Sequence, residues 1–182
     1  MLIWLNGPFG VGKTETARAL QALLPGSHLV DPEVLGFMLR HLTPPEVMPT
    51  DFQDHPLWPG MVCDLLADLA ARFTGPLIVP MTLVSPLSFD TVVGGLRRSG
   101  VALHHFSLLA PPEVILGRLA GRGDGPQSWP AQQLRRCLTA LVSPPFGEGL
   151  ETAGRSPAEV AGLVLAGLHT SGPAPTPLPV LR

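Results

Sequence analysis

The stretch GPFGVGKT at residues 7–14, directly after an apolar run at residues 2–5 and one asparagine, decides the fold. It matches the pattern G-x-x-x-x-G-K-[ST], whose glycines let the backbone curl around an anion and turn its N–H groups toward a phosphate. A helical pattern of Ala17, Leu20 and Leu24 follows, so a helix N-terminus adds partial positive charge. This predicted phosphate loop consists of Gly7, Pro8, Phe9, Gly10, Val11, Gly12, Lys13 and Thr14.

Individual side chains of the loop have distinct expected tasks. Lys13 should reach the β- and γ-phosphates of ATP, and the Thr14 hydroxyl should bind Mg²⁺, which prefers oxygen ligands. Thr16 is expected beside the nucleotide as well. Lys13 is the one lysine among twelve cationic side chains, and a slim ammonium fits between two phosphates where the arginine fork does not. A chance glycine-rich turn is the alternative, which eight matched positions disfavour.

Composition excludes several classes of protein. With 182 residues and 45% hydrophobic side chains, we expect one domain at residues 1–170 and a Pro-rich, disordered tail at 171–182. The net charge of −2 provides no basic face for nucleic acid and no polybasic run for a membrane. Two distant cysteines, no secretion signal and no transmembrane segment predict a cytoplasmic protein with at most weak membrane association. The oligomeric state is unknown from sequence.

Short apolar runs alternate with helical periodicity along the rest of the chain. This alternation predicts an α/β domain with a parallel sheet, whose ligands sit beyond the carboxyl ends of the strands. The further predicted strands are His28–Val30, Leu77–Met81, Leu103–Leu109 and a weak one near Leu150. One predicted helix starts near Glu33, and three more are indicated by apolar stripes at 62–73, 89–96 and 134–141. Two further helices are predicted to start at Pro111 and at a capping box on Ser156. The segment from Thr43 to Pro59 is predicted to be a long ordered loop.

A phosphate loop alone leaves the reaction open. A switch GTPase requires an N-K-x-D motif, and with one lysine at position 13 none exists. A motor or AAA+ ATPase requires an apolar strand that ends in Asp-Glu, whereas the strand at Leu77–Met81 is followed by Thr82. Transfer to a small acceptor remains.

Transfer to a hydroxyl needs a carboxylate that orients the nucleophile and takes its proton. Asp31 follows the second predicted strand, at the sheet edge where the phosphate loop lies, so we predict it as general base or metal ligand. The alternative is that Asp31 only caps the next helix; it could do both. Glu33 is interpreted as a residue that complements the helix dipole.

Polar and aromatic residues around this edge are the candidates for acceptor binding. Arg40 shares a helix face with Glu33, and its alternative is a solvated arginine. The loop at 50–58 offers Asp51, Gln53 and Trp58 for hydrogen bonding and stacking, although its aromatic residues could equally fill the core. Thr82 ends the third strand, where it either faces the acceptor or caps the strand.

Arginines around a glycine-rich loop suggest a lid. Arg118 and Arg122 are four residues apart on one predicted helix, and Arg135 and Arg136 follow the loop at 121–129. A lid needs hinges and cations that meet transition-state charge. Surface placement is the alternative for each. Arg155 is predicted beside the adenine, or else in a helix cap.

The motifs WLNGPFGVGKTETA, VDPEVLGFMLR, DFQDHPLW, IVPMTLV, HHFSLLA and RLAGRG followed by SWP resemble the bacterial tunicamycin-resistance ATP-binding family, within the P-loop kinase group of nucleotide, shikimate and chloramphenicol kinases. The resemblance covers residues 1–170. It implies a three-layer P-loop kinase fold, a five-stranded parallel sheet of order 2-3-1-4-5 and a lid over ATP. It implies that Asp31 stands where the chloramphenicol kinases carry their catalytic aspartate. The implied acceptor is tunicamycin, a uridine-containing antibiotic, or a related nucleoside or sugar hydroxyl.

The resulting hypothesis is an antibiotic-resistance phosphotransferase that uses ATP and Mg²⁺ and acts on an alcohol group of a small molecule. Two alternatives remain: a protein that binds the antibiotic without modifying it, and a regulatory P-loop ATPase.

Overall fold

The computed structural model describes residues 1–147 and 149–170. The Pro-rich tail predicted at 171–182 lies outside the described residues. Five parallel strands form one sheet in the order β2-β3-β1-β4-β5, which is the order implied by the resemblance. The strands are β1 (Leu2–Asn6), β2 (His28–Leu29), β3 (Leu77–Pro80), β4 (Leu103–Leu109) and β5 (Gly149–Glu151).

Helices cover both faces of the sheet, which gives three layers. They are α1 (Lys13–Leu23), α2 (Glu33–Leu42), α3 (Trp58–Arg72), α4 (Pro86–Phe89), α5 (Gly95–Arg98), α6 (Pro112–Ala120), α7 (Trp129–Leu141) and α8 (Pro157–Thr170). Among the described residues, no helix is both long and apolar enough to span a membrane.

The central strand β1 shows why both faces are covered. Successive side chains of a strand point to opposite faces, and all of β1 is buried. Leu2 and Trp4 pack into the core that contains α3, whereas Ile3 and Leu5 pack into the core formed with α1 and α8. A strand buried on both sides reads as a continuous apolar run, which is what residues 2–5 show.

Two predicted boundaries differ from the structure. The predicted loop from Thr43 to Pro59 contains a 3₁₀ turn at Phe52–Asp54 and the start of α3 at Trp58, because proline is tolerated in the first turn of a helix. The predicted helix around residues 89–96 runs instead from α4 into α5 through a π-helical turn, Asp90–Gly94. The capping box at Ser156 is confirmed: its N–H donates to the Glu159 carboxylate at 2.7 Å, and the Glu159 N–H donates to its hydroxyl at 3.3 Å.

Candidate functional site

The phosphate loop begins at a buried asparagine. Asn6, at the end of β1, is 0% exposed. Its Oδ1 accepts hydrogen bonds from the N–H of Gly7 at 2.8 Å and of Leu83 at 2.9 Å, and its Nδ2 donates to the Leu83 carbonyl at 2.8 Å. Asn6 Nδ2 also lies 3.2 Å from His105 Nε2 on β4. One side chain therefore links the start of the loop to the segment after β3 and to β4.

Glycine is required at both ends of the loop. Gly7 has φ 149°, and a Cβ there would lie 2.7 Å from the Leu108 carbonyl oxygen. Gly12 has φ 106° and precedes α1, in the left-handed region that other residues rarely adopt. The α1 N-terminus consequently opens directly onto the loop, as the sequence pattern predicts.

Lys13 lies inside the loop with 9% of its surface exposed. Its Nζ donates to the carbonyl oxygens of Gly7 at 2.9 Å and Pro8 at 3.0 Å, and it lies 5.4 Å from the centre of the Phe9 ring. Burial lowers the pKa of the Lys13 ammonium to about 8, while the negative charge of Glu33 opposes that shift. The ammonium is thus held at the centre of the loop by neutral oxygens.

A cavity of about 170 Å³ lies on one side of the loop. Three of the arginines singled out by sequence, Arg118, Arg122 and Arg155, line it together with Thr16. The loop itself contributes Val11 and Gly12, and the remaining lining residues are Glu15, Thr152, Pro157 and Val160. Cations next to the loop backbone suit the phosphates of a nucleotide bound in the loop.

Arg118 is fixed to the body of the domain. Its guanidinium donates to the Val11 carbonyl at 2.8 Å, to the Thr152 hydroxyl at 2.9 Å and to the Thr152 carbonyl at 2.8 Å. Three hydrogen bonds from one planar fork hold the loop against the segment after β5. Arg118 therefore belongs to the wall of the cavity in this structure, and its place on a lid stays a prediction.

The other arginines of the predicted lid are placed differently. Helix α6 ends at Ala120, so Arg122 lies in the following turn and not, as predicted, on the helix with Arg118. Arg135 and Arg136 are exposed on α7, and Arg136 Nη1 lies 3.7 Å from Asp51 Oδ2. Movement of this segment stays a prediction.

A second cavity, of about 470 Å³, borders the loop at Phe9. We call it the acceptor cavity. Most of its lining is aromatic or charged: Phe9, Phe37, Phe52, Trp129, Glu33, Arg40 and Thr50. The rings of Phe9 and Trp129 meet edge to face with centres 4.9 Å apart, so the start of α7 packs directly on the phosphate loop.

Two carboxylates stand near this cavity, at the start of α2. Asp31 is exposed, and its Oδ1 accepts a hydrogen bond from the Glu33 N–H at 3.0 Å, so it does cap the helix. Glu33 lines the acceptor cavity. Burial raises the pKa of Glu33, and the nearby negative charges of Asp31 and Asp51 raise it further. The positive charge of Lys13 opposes this rise. Sequence reasoning assigned Glu33 to the helix dipole and missed its place in the cavity, because position relative to a cavity has no local signature.

Arg40 lies over the wall of the acceptor cavity. Its Nη2 donates to the Thr50 carbonyl at 2.5 Å, and its guanidinium carbon lies 5.8 Å from the centre of the Phe52 ring. Trp58 does not reach this cavity: it is 0% exposed, and its Nε1 donates to the Pro32 carbonyl at 3.3 Å. The prediction of Trp58 as a substrate-stacking residue is wrong, and the alternative of a core residue is correct.

Three further predicted acceptor residues serve other contacts. Thr82 is 1% exposed and donates its hydroxyl to the Gly7 carbonyl at 2.8 Å, so it holds the phosphate loop. Asp51 accepts from the Gln53 N–H at 3.0 Å and thereby caps the 3₁₀ turn. Gln53 lines a cavity that shares no lining residue with the acceptor cavity. The structure therefore does not bring Asp51, Gln53 and Thr82 together around one acceptor.

The residues predicted for Mg²⁺ are compatible with it. Thr14 is exposed in the first turn of α1, and Asp31 is exposed at the carboxyl edge of β2. The described residues contain no cluster of three or more His, Cys, Asp or Glu side chains. Mg²⁺ in phosphate sites needs only one or two protein oxygens, because phosphates and waters complete its shell. A hydroxyl and a carboxylate fit that requirement.

Comparison with known proteins identifies the family. A protein-family model described as an AAA domain matches residues 2–144. The solved structure of the Deinococcus radiodurans tunicamycin resistance protein shares 38% sequence identity, with a TM-score of 0.78, over 96% of this chain and 98% of that one. The chain belongs to the family of this tunicamycin resistance protein. Its members share the P-loop, and with it the geometry for binding a nucleotide.

More distant structures share the family's fold. A sugar kinase from Janibacter sp. HTCC2649 has 19% identity and a TM-score of 0.69 over 92% of this chain and 94% of its own. Shikimate kinase from Acinetobacter baumannii has 20% identity and a TM-score of 0.61 over 93% of each chain. A sequence search of curated proteins gives no significant match. The structural matches confirm the P-loop kinase fold expected from the sequence.

Proposed function

We propose that this protein transfers the γ-phosphoryl group of ATP to a hydroxyl group of a small molecule bound in the acceptor cavity. One observation carries the proposal: the phosphate loop contributes to two cavities that share no described lining residue. Val11 and Gly12 face the arginine-lined cavity, and Phe9 faces the acceptor cavity. A loop that only hydrolysed a nucleotide has no need of a second cavity of about 470 Å³ beside it, whereas a transferase needs room for an acceptor.

The acceptor is proposed to be a nucleoside-type antibiotic such as tunicamycin. The support is the family relationship to a tunicamycin resistance protein, together with a cavity wall of four aromatic residues that suits a planar ring. Arg40 lies at the rim of that wall, where it can donate to polar atoms of the ring.

In the proposed reaction, the acceptor hydroxyl oxygen forms a bond to the γ-phosphorus while the bond from that phosphorus to the β-phosphate oxygen breaks, and ADP leaves. The hydroxyl proton passes to the Asp31 carboxylate, which acts as the general base. Lys13 and Arg122 offset the charge that develops on the transferring group. Mg²⁺ would be held by Thr14, or by Thr14 and Asp31 if Asp31 is a metal ligand and not the base, and would supply further charge neutralisation when bound.

The test is a transfer assay on the purified full chain. ATP, Mg²⁺ and tunicamycin, with a panel of nucleosides in parallel, should yield a product heavier by one phosphoryl group in mass spectrometry. Asp31→Asn should retain the helix cap, since asparagine caps as well as aspartate, yet lose on the order of 10²- to 10⁴-fold in kcat. Asp64→Asn, on the exposed face of α3, is the matched control.

A second variant distinguishes the roles of the two carboxylates at the start of α2, Asp31 and Glu33. If Glu33→Gln and not Asp31→Asn abolishes transfer, Glu33 is the base and the role of Asp31 is confined to the cap. Tunicamycin that binds in calorimetry with nucleotide present but is recovered unmodified across the panel would favour the alternative of sequestration. ATP consumption without any modified product would favour a regulatory ATPase.

A further inference from the structure

A cavity of about 430 Å³ lies beside the 3₁₀ turn at Phe52–Asp54. It is formed by this turn, the residues Pro59 and Gly60 in the first turn of α3, and α4 with the π turn that follows it. Phe52 lines the acceptor cavity, whereas Gln53 lines this one. The volume falls within the range of small-molecule sites. We call it the turn cavity.

Two nearly enclosed polar side chains line the turn cavity without partners. Gln53 and Ser88 are each 8% exposed, and both line the cavity. The Gln53 N–H is bonded to Asp51 and the Ser88 N–H to Ser85, but within residues 1–147 and 149–170 neither the Gln53 amide group nor the Ser88 hydroxyl has a hydrogen-bond partner. Because both residues line the cavity and neither side chain is paired within the described part of the protein, their polar groups are available to a ligand bound there.

The charge of the cavity selects against anions. None of the described residues that line it is a lysine or an arginine, and Asp54 contributes an exposed carboxylate at the rim. An amide group offers an acceptor and two donors, and a hydroxyl offers a donor and an acceptor. Such groups match a neutral ligand that itself both donates and accepts hydrogen bonds.

Part of the wall is apolar. Pro56, Pro59 and Leu87 line the cavity, and Leu87 is 78% exposed. Thr91, also in the lining, lies in the π turn that widens the helix after Ser88; π turns occur frequently at functional sites. A ligand for this cavity therefore needs C–H surface as well as hydroxyl groups.

We propose that the turn cavity binds a neutral, polyhydroxylated ring, either a free monosaccharide or a glycosyl group of a larger ligand. Its hydroxyls pair with the Gln53 amide and the Ser88 hydroxyl, and its C–H face packs on Pro56, Pro59 and Leu87. None of these residues belongs to the phosphate loop or lines the acceptor cavity, so ring binding can be measured whether or not the proposed phosphoryl transfer occurs.

The experiment fills the cavity without disturbing the fold. A Cβ at Gly60 would meet no atom within 4 Å, and leucine is a better helix former than glycine, so Gly60→Leu should place its side chain in the cavity. Gly162→Leu, on α8 with equally open space, is the matched control. Ligand-observed NMR on the full chain without nucleotide should detect binding of glucose, N-acetylglucosamine or inositol. Gly60→Leu should abolish that signal and Gly162→Leu should retain it, with thermal melts confirming that both fold.

Two further arms define the chemistry. Ser88→Ala, with exposed Ser99→Ala as control, should weaken monosaccharide binding about tenfold, the effect of one hydrogen bond of the usual strength. Glucose 6-phosphate should bind more weakly than glucose, because the described lining residues include Asp54 but no lysine or arginine, and the one histidine among them, His55, accepts a hydrogen bond from the Leu57 N–H through Nδ1. Equal binding by the wild type and Gly60→Leu, tighter binding of the sugar phosphate, or no detectable binding of any sugar or glycosylated compound would overturn the proposal.

The source of the ring is distinguished by the same variants. If the ring is a free effector, Gly60→Leu loses monosaccharide binding but retains the wild-type affinity for tunicamycin in calorimetry. If the ring is part of the acceptor, Gly60→Leu weakens tunicamycin binding while ADP affinity stays unchanged. Because these readouts are binding measurements, they can succeed even if no phosphorylated product is ever found.

Discussion

The Thr82 hydroxyl donates a hydrogen bond of 2.8 Å to the Gly7 carbonyl, which joins the segment after β3 to the first residue of the phosphate loop. The same carbonyl accepts from Lys13 Nζ at 2.9 Å. A residue that was expected to contact the acceptor therefore shapes the nucleotide side of the site.

Thr82→Val should weaken nucleotide binding. Valine fills nearly the same volume but removes one of the two donors to the Gly7 carbonyl, which costs about 0.5–1.5 kcal/mol. We expect the Kd for ADP in calorimetry to rise and the melting temperature to fall. Thr139→Val, at an exposed position of α7, should change neither. A Thr82→Val protein that binds ADP normally but loses affinity for tunicamycin would restore Thr82 to the acceptor side.

Lys13→Arg should lose transfer activity while the fold survives. The ammonium fits between the Gly7 and Pro8 carbonyls, and the guanidinium fork is too broad for that space. We expect a loss on the order of 10²-fold or more in kcat, comparable to the loss of one electrostatic contact in a transition state. Circular dichroism checks the fold. Near wild-type transfer in a folded Lys13→Arg protein contradicts our assignment of the site.

Nucleotide affinity should fall as the pH rises above 8. The pKa of Lys13 is lowered to about 8 by burial, and phosphate oxygens stabilise the charged form, so binding raises that pKa and takes up a proton above pH 8. The affinity should then decrease by up to about tenfold per pH unit. ADP titrations at pH 7, 8 and 9 measure the slope. Lys13→Met should bind weakly with a flat profile over this range; a flat wild-type profile would argue against the lowered pKa.

Substitutions of Arg118 and Arg122 should change different properties: the stability of the fold for Arg118 and the transfer activity for Arg122. Arg118→Met removes the bonds to Val11 and Thr152 and should lower the free energy of unfolding by about 1.5–3 kcal/mol in urea denaturation. Arg122 is exposed, so Arg122→Met should change that free energy by less than about 0.5 kcal/mol and yet reduce kcat. If the two variants behave alike, the division between wall and active residue is wrong.

Sequence patterns predicted the parts of the fold that local physics controls. Residues 2–5 form a buried strand because a central strand is apolar on both faces, and GPFGVGKT must curl because Gly7 and Gly12 adopt backbone angles closed to other residues. Ser156 and Glu159 form the capping box that their spacing indicates. In each case, the determining interactions lie within a few residues of one another.

Contacts between residues that are far apart in the sequence could not be predicted from such patterns. Whether Trp58 enters the core or Thr82 bonds to Gly7 depends on how α3 and β3 pack, which no local spacing encodes. The acceptor cavity shows the same limit, since Glu33 and Phe9 meet there from separate elements. The strand order came from the family resemblance, because alternation of strands and helices alone does not fix it.

Asn6 gives the molecule a property that none of its neighbours could provide. Since its side chain holds Gly7 and Leu83 and contacts His105, the curvature of the loop is established by the interior of the domain as it folds. Little conformational freedom is left for a nucleotide to remove on binding, so association should be fast and should carry only a small entropic penalty. We therefore expect that mutations deep in the sheet, far from any ligand atom, first change the affinity for nucleotide.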